Sequence, residues 1–379
     1  MKITRLFFVG ATLSFACTNE IMIPVPDVGE NITYDSHPKN SEYQRPLAEY
    51  KNGTNSPGAV LALSRPGEAL WIGSVGTSNL AHHTPMNTNS QFRTGSVTKM
   101  LTAVVILKLM EQDRLCLEDK LVDHLPFVKG RIPEAHKITI RHLLAHLSGI
   151  VDPPNESLRY QADLIDDPAA MFSLEVEDAL EEYVFGKDLH FAPGTGYSYS
   201  NTNYWLLGMI AERTAGNTLQ QLMEEMIFTP LQMNNSYLEA REDSKVARGY
   251  ADLYNNGVLT DVSLWDRAEG DGGADGGLIS KAEDLYLFMY GLFNGELVSP
   301  NTLEDMKKIQ WPACDSPYCE YGLGLEIWRT DAGIAYGHNG GLIGIEANVL
   351  YFEGSGGISI LYKNNGNGSE KGWLGELMK

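Results

Sequence analysis

A long apolar helix that begins near Ser96 constrains the fold more strongly than any other segment of this sequence. Residues 96–113 read SVTKMLTAVVILKLMEQD, and Met100, Val104 and Leu107 recur at helical spacing with further apolar residues between them. A helix that is apolar on most of its surface is a buried helix. The chain has 379 residues, 43% of them hydrophobic, which suffices for a core of this kind.

Strand patterns lie near both ends of the chain. The apolar stretch 58–64, the turn 65–68 and the stretch 69–74 predict a hairpin. Four further strand patterns close the chain, starting at Tyr321, Ile334, Gly344 and Gly357. Because adjacent strands with short turns pair antiparallel, we expect the hairpin to join the terminal strands in one sheet.

The order of elements predicts an α/β (α+β) fold, in which helices flank an antiparallel sheet and a mostly helical segment is inserted. We expect residues 41–114 and 281–379 to form the sheet domain and residues 115–280 the helical domain. A cleft should lie between them.

The N-terminal segment predicts export. Residues 1–17 have a basic start and a short apolar stretch, typical of a signal peptide, and Cys17 is a candidate for lipidation. The third residue before it is Ser14 rather than the usual leucine, so plain cleavage after Ala16 is the alternative. Residues 18–40 look like a tether. These features predict a protein of the periplasm or the outer surface that is held to the membrane as a lipoprotein.

The three remaining cysteines suggest one possible disulfide. Cys314 and Cys319 flank a short turn and could form a disulfide in an exported chain, whereas Cys116 is expected in the core.

Acidic residues outnumber basic ones by 49 to 29, giving a net charge of −20. A nucleic-acid partner would need a basic face, and none is visible.

Ser96 and Lys99 carry the first chemical signal. A serine hydroxyl needs a neighbouring base, and three residues along a helix place a lysine beside it. A helix start also adds positive potential where an oxyanion would form. Ser36 and Lys39 have the same spacing but lie in a polar arm, so the context of the apolar helix selects Ser96. The competing interpretation of Ser96 is an ordinary helix cap.

Two further groups complete the pattern. Tyr199 and Asn201 lie between a glycine-rich turn and an apolar helix; the tyrosine can act as a base and the asparagine can donate to a substrate carbonyl. His338 is followed by Asn339, Gly340 and Gly341 between two strands, where the glycines would let a substrate backbone approach.

Ser-x-x-Lys, Tyr-Ser-Asn and His-x-Gly, in this order, resemble the motif set of penicillin-binding DD-peptidases, class C β-lactamases and related esterases. The flanking sequences FRTGSVTKMLTAVVILKLME, GTGYSYSNTNYWLLGMI and YGLGL are similar to the same family, and the likeness covers roughly residues 41–379.

The resemblance implies a role for each residue. Ser96 would be acylated, Lys99 and Tyr199 would exchange its proton, and Asn201 would orient the substrate amide. His338 would support Tyr199 and the substrate. The backbone amides of Ser96 and Gly341 would form the oxyanion hole, and Asn339 and Gly340 would contact the substrate beside it.

Glu326 departs from the family pattern. In DD-carboxypeptidases an arginine at this position grips the terminal carboxylate of the substrate, which a glutamate would repel. Arg329 should point to the opposite face of the strand. Glu326, with Asp271 or Asp275, is therefore expected to favour a neutral or amine-bearing substrate.

The motifs and the resemblance together predict a serine hydrolase that forms an acyl-enzyme, needs no cofactor and acts on D-amino peptides as a D-alanyl-D-alanine carboxypeptidase does. The alternatives are a small-ester hydrolase or β-lactamase, or a penicillin-binding lipoprotein with slow turnover. The substrate would be a small peptide, ester or β-lactam. His142 and His146 have metal-pair spacing but no third ligand beside them, so we expect no metal site.

Overall fold

The computed structural model describes residues 34, 36–238, 245–270, 273–311, 320–366 and 371–379. The strands within these ranges are β1 (Gly58–Ser64), β2 (Trp71–Asn79), β3 (Thr84–Pro85), β4 (Phe92–Arg93), β5 (Tyr237–Leu238), β6 (Tyr250–Ala251), β7 (Thr260–Asp261), β8 (Leu278–Ser280), β9 (Glu326–Thr330), β10 (Gly333–Gly341), β11 (Glu346–Phe352) and β12 (Gly357–Lys363).

The α-helices within the same ranges are α1 (Asn40–Gly53), α2 (Thr98–Glu111), α3 (Leu121–His124), α4 (Ile140–Leu144), α5 (Pro153–Glu156), α6 (Leu158–Asp166), α7 (Pro168–Phe172), α8 (Val176–Tyr183), α9 (Asn201–Ala215), α10 (Leu219–Met223), α11 (Thr229–Leu231), α12 (Ser263–Gly270), α13 (Ala282–Phe293), α14 (Pro300–Lys307) and α15 (Lys371–Leu377). Short 3₁₀ turns cover Gly95–Val97 and Pro126–Val128, and a π-helical turn covers Glu224–Phe228.

A seven-stranded antiparallel sheet organises the molecule, in the order β3-β2-β1-β12-β11-β10-β9. Strand β1 lies between β2 and β12, and Leu61 pairs with Gly73 on one side and Leu361 on the other. The predicted union of the N-terminal hairpin with the C-terminal strands is confirmed, as is the mixed α/β class with its antiparallel sheet.

The two faces of the sheet bury different helices. On one face, α1 and the short closing helix α15 cover the strands, and Leu47 and Leu374 pack with Leu61, Leu361 and neighbouring apolar residues. The other face carries the larger core, which includes α2, α9 and α13. Helix α2 is buried along almost its whole length, as its apolar sequence predicts.

The segment Tyr321–Leu325 differs from the prediction, because the strand expected to start at Tyr321 starts at Glu326. Gly324 has a φ of +76°, and a Cβ there would collide with the side chain of Ala103. The Gly322 N–H donates to the Leu325 carbonyl at 2.8 Å. The segment is therefore a tight turn against α2, and its glycines serve close packing rather than an extended strand.

The two predicted parts of the chain are closely joined. A small sheet pairs β4, from the predicted sheet segment, with β8 and β5, from the predicted helical segment. Residues Asn31–Lys379 form one compact unit. The division at residues 114 and 280 stays a prediction about chain order.

The cysteine predictions have different outcomes. Cys116 is exposed and free, so the prediction that it lies in the core was wrong; only its apolar neighbours, Leu115 and Leu117, are buried. Cys17, Cys314 and Cys319 lie outside the described residues, as do the predicted signal segment and most of the tether. Among the helices that the structure describes, none has the length and apolar character needed to cross a membrane.

Candidate active site

Ser96 lies in the 3₁₀ turn Gly95–Val97 that leads directly into α2. Strand β10 passes close to this turn: a Cβ on Gly95 would lie 3.2 Å from the backbone N of Gly341, and one on Gly340 would collide with the Thr94 carbonyl oxygen. The glycine at 340 therefore allows the strand to approach the nucleophile turn. As a result the backbone of Gly341 lies beside Ser96.

The Ser96 hydroxyl is held by two side chains. Lys99 Nζ donates to Ser96 Oγ at 2.9 Å, and the Tyr199 hydroxyl donates to the same oxygen at 2.8 Å. Lys99 is one helical turn beyond Ser96, whereas Tyr199 reaches it from the segment that precedes α9. The structure thus brings together the three residues that sequence spacing proposed as nucleophile and proton-transfer groups.

Lys99 is fully buried, and its ammonium has further acceptors. It donates to Asn201 Oδ1 at 2.6 Å and to the backbone carbonyl of Asp275 at 2.8 Å. Its Nζ also lies 5.0 Å from the centre of the Tyr199 ring. Three acceptors around one nitrogen match the three donors of an ammonium group.

Tyr199 is half-buried and packs among aromatic rings. Burial raises the pKa of its phenol well above 10, although the hydrogen bond to Ser96 opposes the shift. The ring of His146 stacks on it with centroids 4.2 Å apart. Tyr199 is therefore neutral in the resting enzyme and donates its proton to Ser96 Oγ.

Asn201 is held by a buried carboxylate that the sequence analysis missed. Asp152 Oδ1 accepts from the Asn201 backbone N–H at 3.1 Å and from its Nδ2 at 3.0 Å. This fixes the amide so that its oxygen faces Lys99. Burial raises the pKa of Asp152 above its usual value. No motif in the sequence marks Asp152, since its partner lies 49 residues away.

His338 occupies a buried position behind the cleft. Its Nδ1 donates to the Asn339 carbonyl oxygen at 2.6 Å, and its Nε2 is hydrogen-bonded to the Tyr321 hydroxyl at 2.9 Å. Its ring centre is 6.3 Å from that of Tyr199. These contacts place His338 beside the aromatic cluster that holds Tyr199, and away from the cleft surface.

A cleft of about 400 Å³ opens at Ser96. Its lining consists of Ser96, Pro154, Asn155, Tyr197, Tyr199, Asn201, Glu269, Asp275, Gly276, Glu326, Asn339, Gly341 and Leu342. Gly340 and His338 are absent from this set, so Gly340 contacts the nucleophile turn where a substrate contact was expected. Within the described residues, the lining includes three carboxylates and neither lysine nor arginine.

Glu326 is one of these carboxylates. Its Oε2 accepts from Trp328 Nε1 at 2.6 Å and from the backbone N–H of Asn339 at 3.3 Å. The Asn339 side-chain amide also faces it, donating at 3.1 Å in the orientation that satisfies both groups. Arg329 instead pairs with Glu320 at 2.9 Å and is exposed, as strand alternation predicts.

The other two carboxylates, Glu269 and Asp275, line the cleft but are largely shielded from water by the protein. Desolvation raises the pKa of Glu269 to about 8, with a further contribution from Asp266. Desolvation also raises the pKa of Asp275 to about 6, against the attraction of Lys99. Glu269 was not singled out by sequence, and Asp271, which was, lies outside the described residues.

His146 is buried and hydrogen-bonded within the protein interior. Its Nδ1 accepts from the Ser200 backbone N–H and lies 3.1 Å from Asn203 Nδ2, and burial lowers its pKa well below 6.5. His142 Nδ1 instead accepts from the Thr139 backbone N–H at 3.3 Å. In the described part of the chain, no three His, Cys, Asp or Glu side chains are grouped to hold a metal ion.

Comparisons with known proteins identify one matching family and several relatives that agree with it. A family model described as Beta-lactamase matches residues 44–373. A penicillin-binding protein of Bacillus subtilis is 28% identical over 311 residues, 78% of this chain and 65% of that protein. A D-aminopeptidase of Cereibacter sphaeroides is 26% identical over 315 residues, 81% of this chain and 56% of that protein. This chain therefore spans about two-thirds or less of the length of these two relatives.

Among solved structures, a D-stereospecific amidohydrolase from a Streptomyces species superposes with a TM-score of 0.74 at 27% identity. The match covers 87% of this chain and 96% of the amidohydrolase. The likeness therefore extends over the sheet and the inserted helical segment together.

Proposed function

The chain belongs to the Beta-lactamase family of serine hydrolases, and on that premise we propose that it hydrolyses amides and short peptides whose reacting residue is a D-amino acid with a free amino group. The D-configuration is supported by the names of two similar proteins, the D-aminopeptidase and the D-stereospecific amidohydrolase. The free amino group is supported by the charges of the cleft.

The proposed reaction is acyl transfer to Ser96. In the reactive form Lys99 is a neutral amine: Ser96 Oγ attacks the amide carbon and its proton passes to Lys99 Nζ, directly or through the Tyr199 hydroxyl. The backbone amides of Ser96 and Gly341 would stabilise the oxyanion, and Lys99 and Tyr199 act as one proton-transfer pair. The pair returns the proton to the leaving amine, which departs and leaves an ester on Ser96. Attack by water on this ester releases the acid and restores the serine.

The single observation that carries the choice of substrate is the acidic lining of the cleft. Glu269, Asp275 and Glu326 face it, and within the described residues no lysine or arginine does. A substrate with a terminal carboxylate would be repelled by those of the three that are ionised, whereas an ammonium group would be attracted and would favour ionisation of Glu269. The charges therefore favour an aminopeptidase or amidase over the D-alanyl-D-alanine carboxypeptidase that the motif set suggests.

Steady-state hydrolysis of four substrates tests the proposal: D-phenylalanine amide, its L-enantiomer, a p-nitrophenyl ester and an N-acylated peptide ending in D-Ala-D-Ala. We expect the D-amide to have the highest kcat/KM and the Ser96→Ala enzyme to be inactive on all four. Release of D-alanine from the acylated peptide at a higher kcat/KM would replace our proposal with carboxypeptidase activity. Preference for the ester would make the protein an esterase.

Slow turnover is distinguished by a different measurement. A burst of one equivalent of product without a steady state would indicate the penicillin-binding protein of the alternative interpretation. Intact-mass detection of an acyl group on wild-type protein, but not on Ser96→Ala, would identify the nucleophile in either case.

Export and membrane anchoring through Cys17 are proposals that rest on sequence alone. Residues 1–17 have the charge and apolar pattern of a signal peptide. Metabolic labelling with a fatty acid should mark the wild-type chain and fail to mark Cys17→Ala. Equal absence of label in both would favour cleavage after Ala16 and release.

A further inference from the structure

Two of the cleft carboxylates, Glu326 and Glu269, accept from backbone N–H groups on either side of Gly341, one in strand β10 and one just after it. Glu326 binds the backbone N–H of Asn339, before Gly341. Glu269 binds the backbone N–H of Ile343, after Gly341, at 3.1 Å. Because Gly341 lies beside the nucleophile turn and all three line the same cleft, a substrate bound at Ser96 would have Glu326 on one side and Glu269 on the other.

Glu326 is already supplied with donors by the protein. Trp328 Nε1 and the Asn339 backbone N–H donate to it, and the Asn339 side-chain amide faces it. His338 Nδ1 lies 3.7 Å from its second oxygen. A carboxylate with this many donors is compensated without a ligand. It repels a second carboxylate but has little capacity left for an ammonium group.

Glu269 is poorly compensated. Its Oε2 accepts the single bond from Ile343, and its Oε1 accepts none among the described residues. Asp266, from the same helix, and Asp275, from the segment before β8, add negative charge; Lys99 is the positive group that faces it. Asp275 is only 5% exposed, and its Oδ1 makes no close hydrogen bond within the described chain, although the Trp205 side chain lies near enough to lower its pKa. A buried acceptor without a donor destabilises the protein, so a ligand with a positively charged donor group would bind favourably at this end of the cleft.

We propose that Glu269, with Asp275 beside it, forms the subsite that binds the primary ammonium group of the substrate. The inference rests on the proposed function and assigns its amine recognition to one side of the cleft. A primary ammonium group has three donors, which suit the open oxygen of Glu269 and the Asp275 oxygen that makes no close hydrogen bond. Where Glu269 is ionised, above about pH 8, binding would relieve the repulsion between the two carboxylates.

The subsite should make substrate binding depend on pH. The pKa of Glu269 is raised to about 8, so the carboxyl is largely protonated in the free enzyme at pH 6 and ionised above pH 8. An ammonium group favours the ionised form. The kcat/KM of an amine-bearing substrate should therefore rise from pH 6 toward pH 8, and fall once the amine itself loses its proton, near its own pKa of about 8.

The decisive experiment compares two amides that differ in one group. D-phenylalanine amide carries an ammonium group where D-phenyllactic amide carries a hydroxyl group of similar size. The measurement is the ratio of their kcat/KM values in the wild type and in Glu269→Gln, Glu326→Gln and Glu177→Gln. Glu177 is exposed on α8, so its variant is a matched control for the loss of one charge.

We expect Glu269→Gln to lower the ratio roughly ten- to hundredfold, the range for a lost charge-assisted hydrogen bond, and Glu177→Gln to preserve it. Glutamine can still accept from Ile343, and Glu269→Asp, which keeps the charge, should retain part of the preference. An unchanged ratio in Glu269→Gln, or a larger fall in Glu326→Gln, would overturn the subsite assignment. A wild type that does not prefer the amine would instead contradict the proposed function itself.

Discussion

Asp152 shows how a residue outside every motif can control a catalytic group. Both donors of Asn201, its backbone N–H and its Nδ2, point to one oxygen of Asp152. The second oxygen accepts from Asn155 Nδ2 at 2.6 Å. This arrangement turns the Asn201 oxygen toward Lys99. We therefore regard Asp152 as a positioning residue that acts on Lys99 and Ser96 through Asn201.

Replacement of Asp152 separates its geometry from its charge. Asp152→Asn retains an acceptor for Asn201, so we expect kcat/KM to stay within about fivefold of wild type, a change near 1 kcal/mol. Asp152→Ala leaves both Asn201 donors without a partner, and we expect a loss of roughly ten- to hundredfold. Equal losses in the two variants would show that the charge, and not the acceptor, is required.

The buried Asp152 should also make the stability of the protein depend on pH. Burial raises the folded-state pKa of Asp152, so the native protein holds this proton more tightly than the unfolded chain. The contribution of Asp152 to stability is then greatest below its unfolded pKa and is lost as pH rises through the folded pKa. Thermal unfolding should show the Tm of Asp152→Asn gaining on wild type as the pH rises from 4 to 7.

Sequence could identify the residues whose chemistry depends on local spacing. Ser96 and Lys99 are one helical turn apart, so their contact follows from helix geometry. Asp152 and Glu269 could not be found in this way. Each acts on the site through a partner 49 or more residues away, and an isolated acidic residue in sequence is most often solvated.

At the scale of elements, the site depends on how closely strand β10 approaches the turn before α2. The Gly340 position has no room for a side chain, because a Cβ would collide with Thr94 and lie 3.1 Å from the Ser96 backbone N. Gly341, the next residue, has no atom within 4 Å of such a Cβ. Two adjacent glycines therefore have different purposes: Gly340 permits packing, and Gly341 lines the open cleft.

A matched pair of alanine variants tests this distinction. Gly340→Ala must push the strand and the nucleophile turn apart, and we expect a loss of about 1–3 kcal/mol in unfolding free energy. Displacement of Ser96 by about 1 Å should lower kcat/KM about a hundredfold in the folded protein. Gly341→Ala should unfold within about 0.5 kcal/mol of wild type. Indistinguishable Tm values for the two variants would contradict the close approach.

Pairing of the elements was predictable where strand patterns were complete, as in the union of β1 with β12. The turn at residues 321–325 was not predictable, because apolar residues alternate with glycines there as they would in a strand. The structure uses Gly324 in a left-handed conformation against Ala103 to turn the chain instead. Only the tertiary packing against α2 decides between the two, and no local pattern in the sequence records it.

At the scale of the whole molecule, the excess of acidic residues acts on any charged substrate before it reaches the cleft. The net charge of −20 creates a field that concentrates cations and repels anions, and salt screens it over about 10 Å at 0.1 M. The acidic lining of the cleft has the same sign as the surface. Long-range attraction and local recognition should therefore both favour an amine-bearing substrate.

Ionic strength separates this attraction from other effects of salt. Between about 20 mM and 500 mM NaCl, we expect kcat/KM for D-phenylalanine amide to fall several-fold, since screening removes the field that draws in the cation. D-phenyllactic amide is neutral, so its kcat/KM should change little and serves as the control for salt acting on the enzyme. Parallel falls for the two amides would show that the net charge serves solubility and has no part in substrate capture. A fall for the ammonium substrate alone would extend substrate selection from Glu269 and Asp275 to the charge of the whole protein.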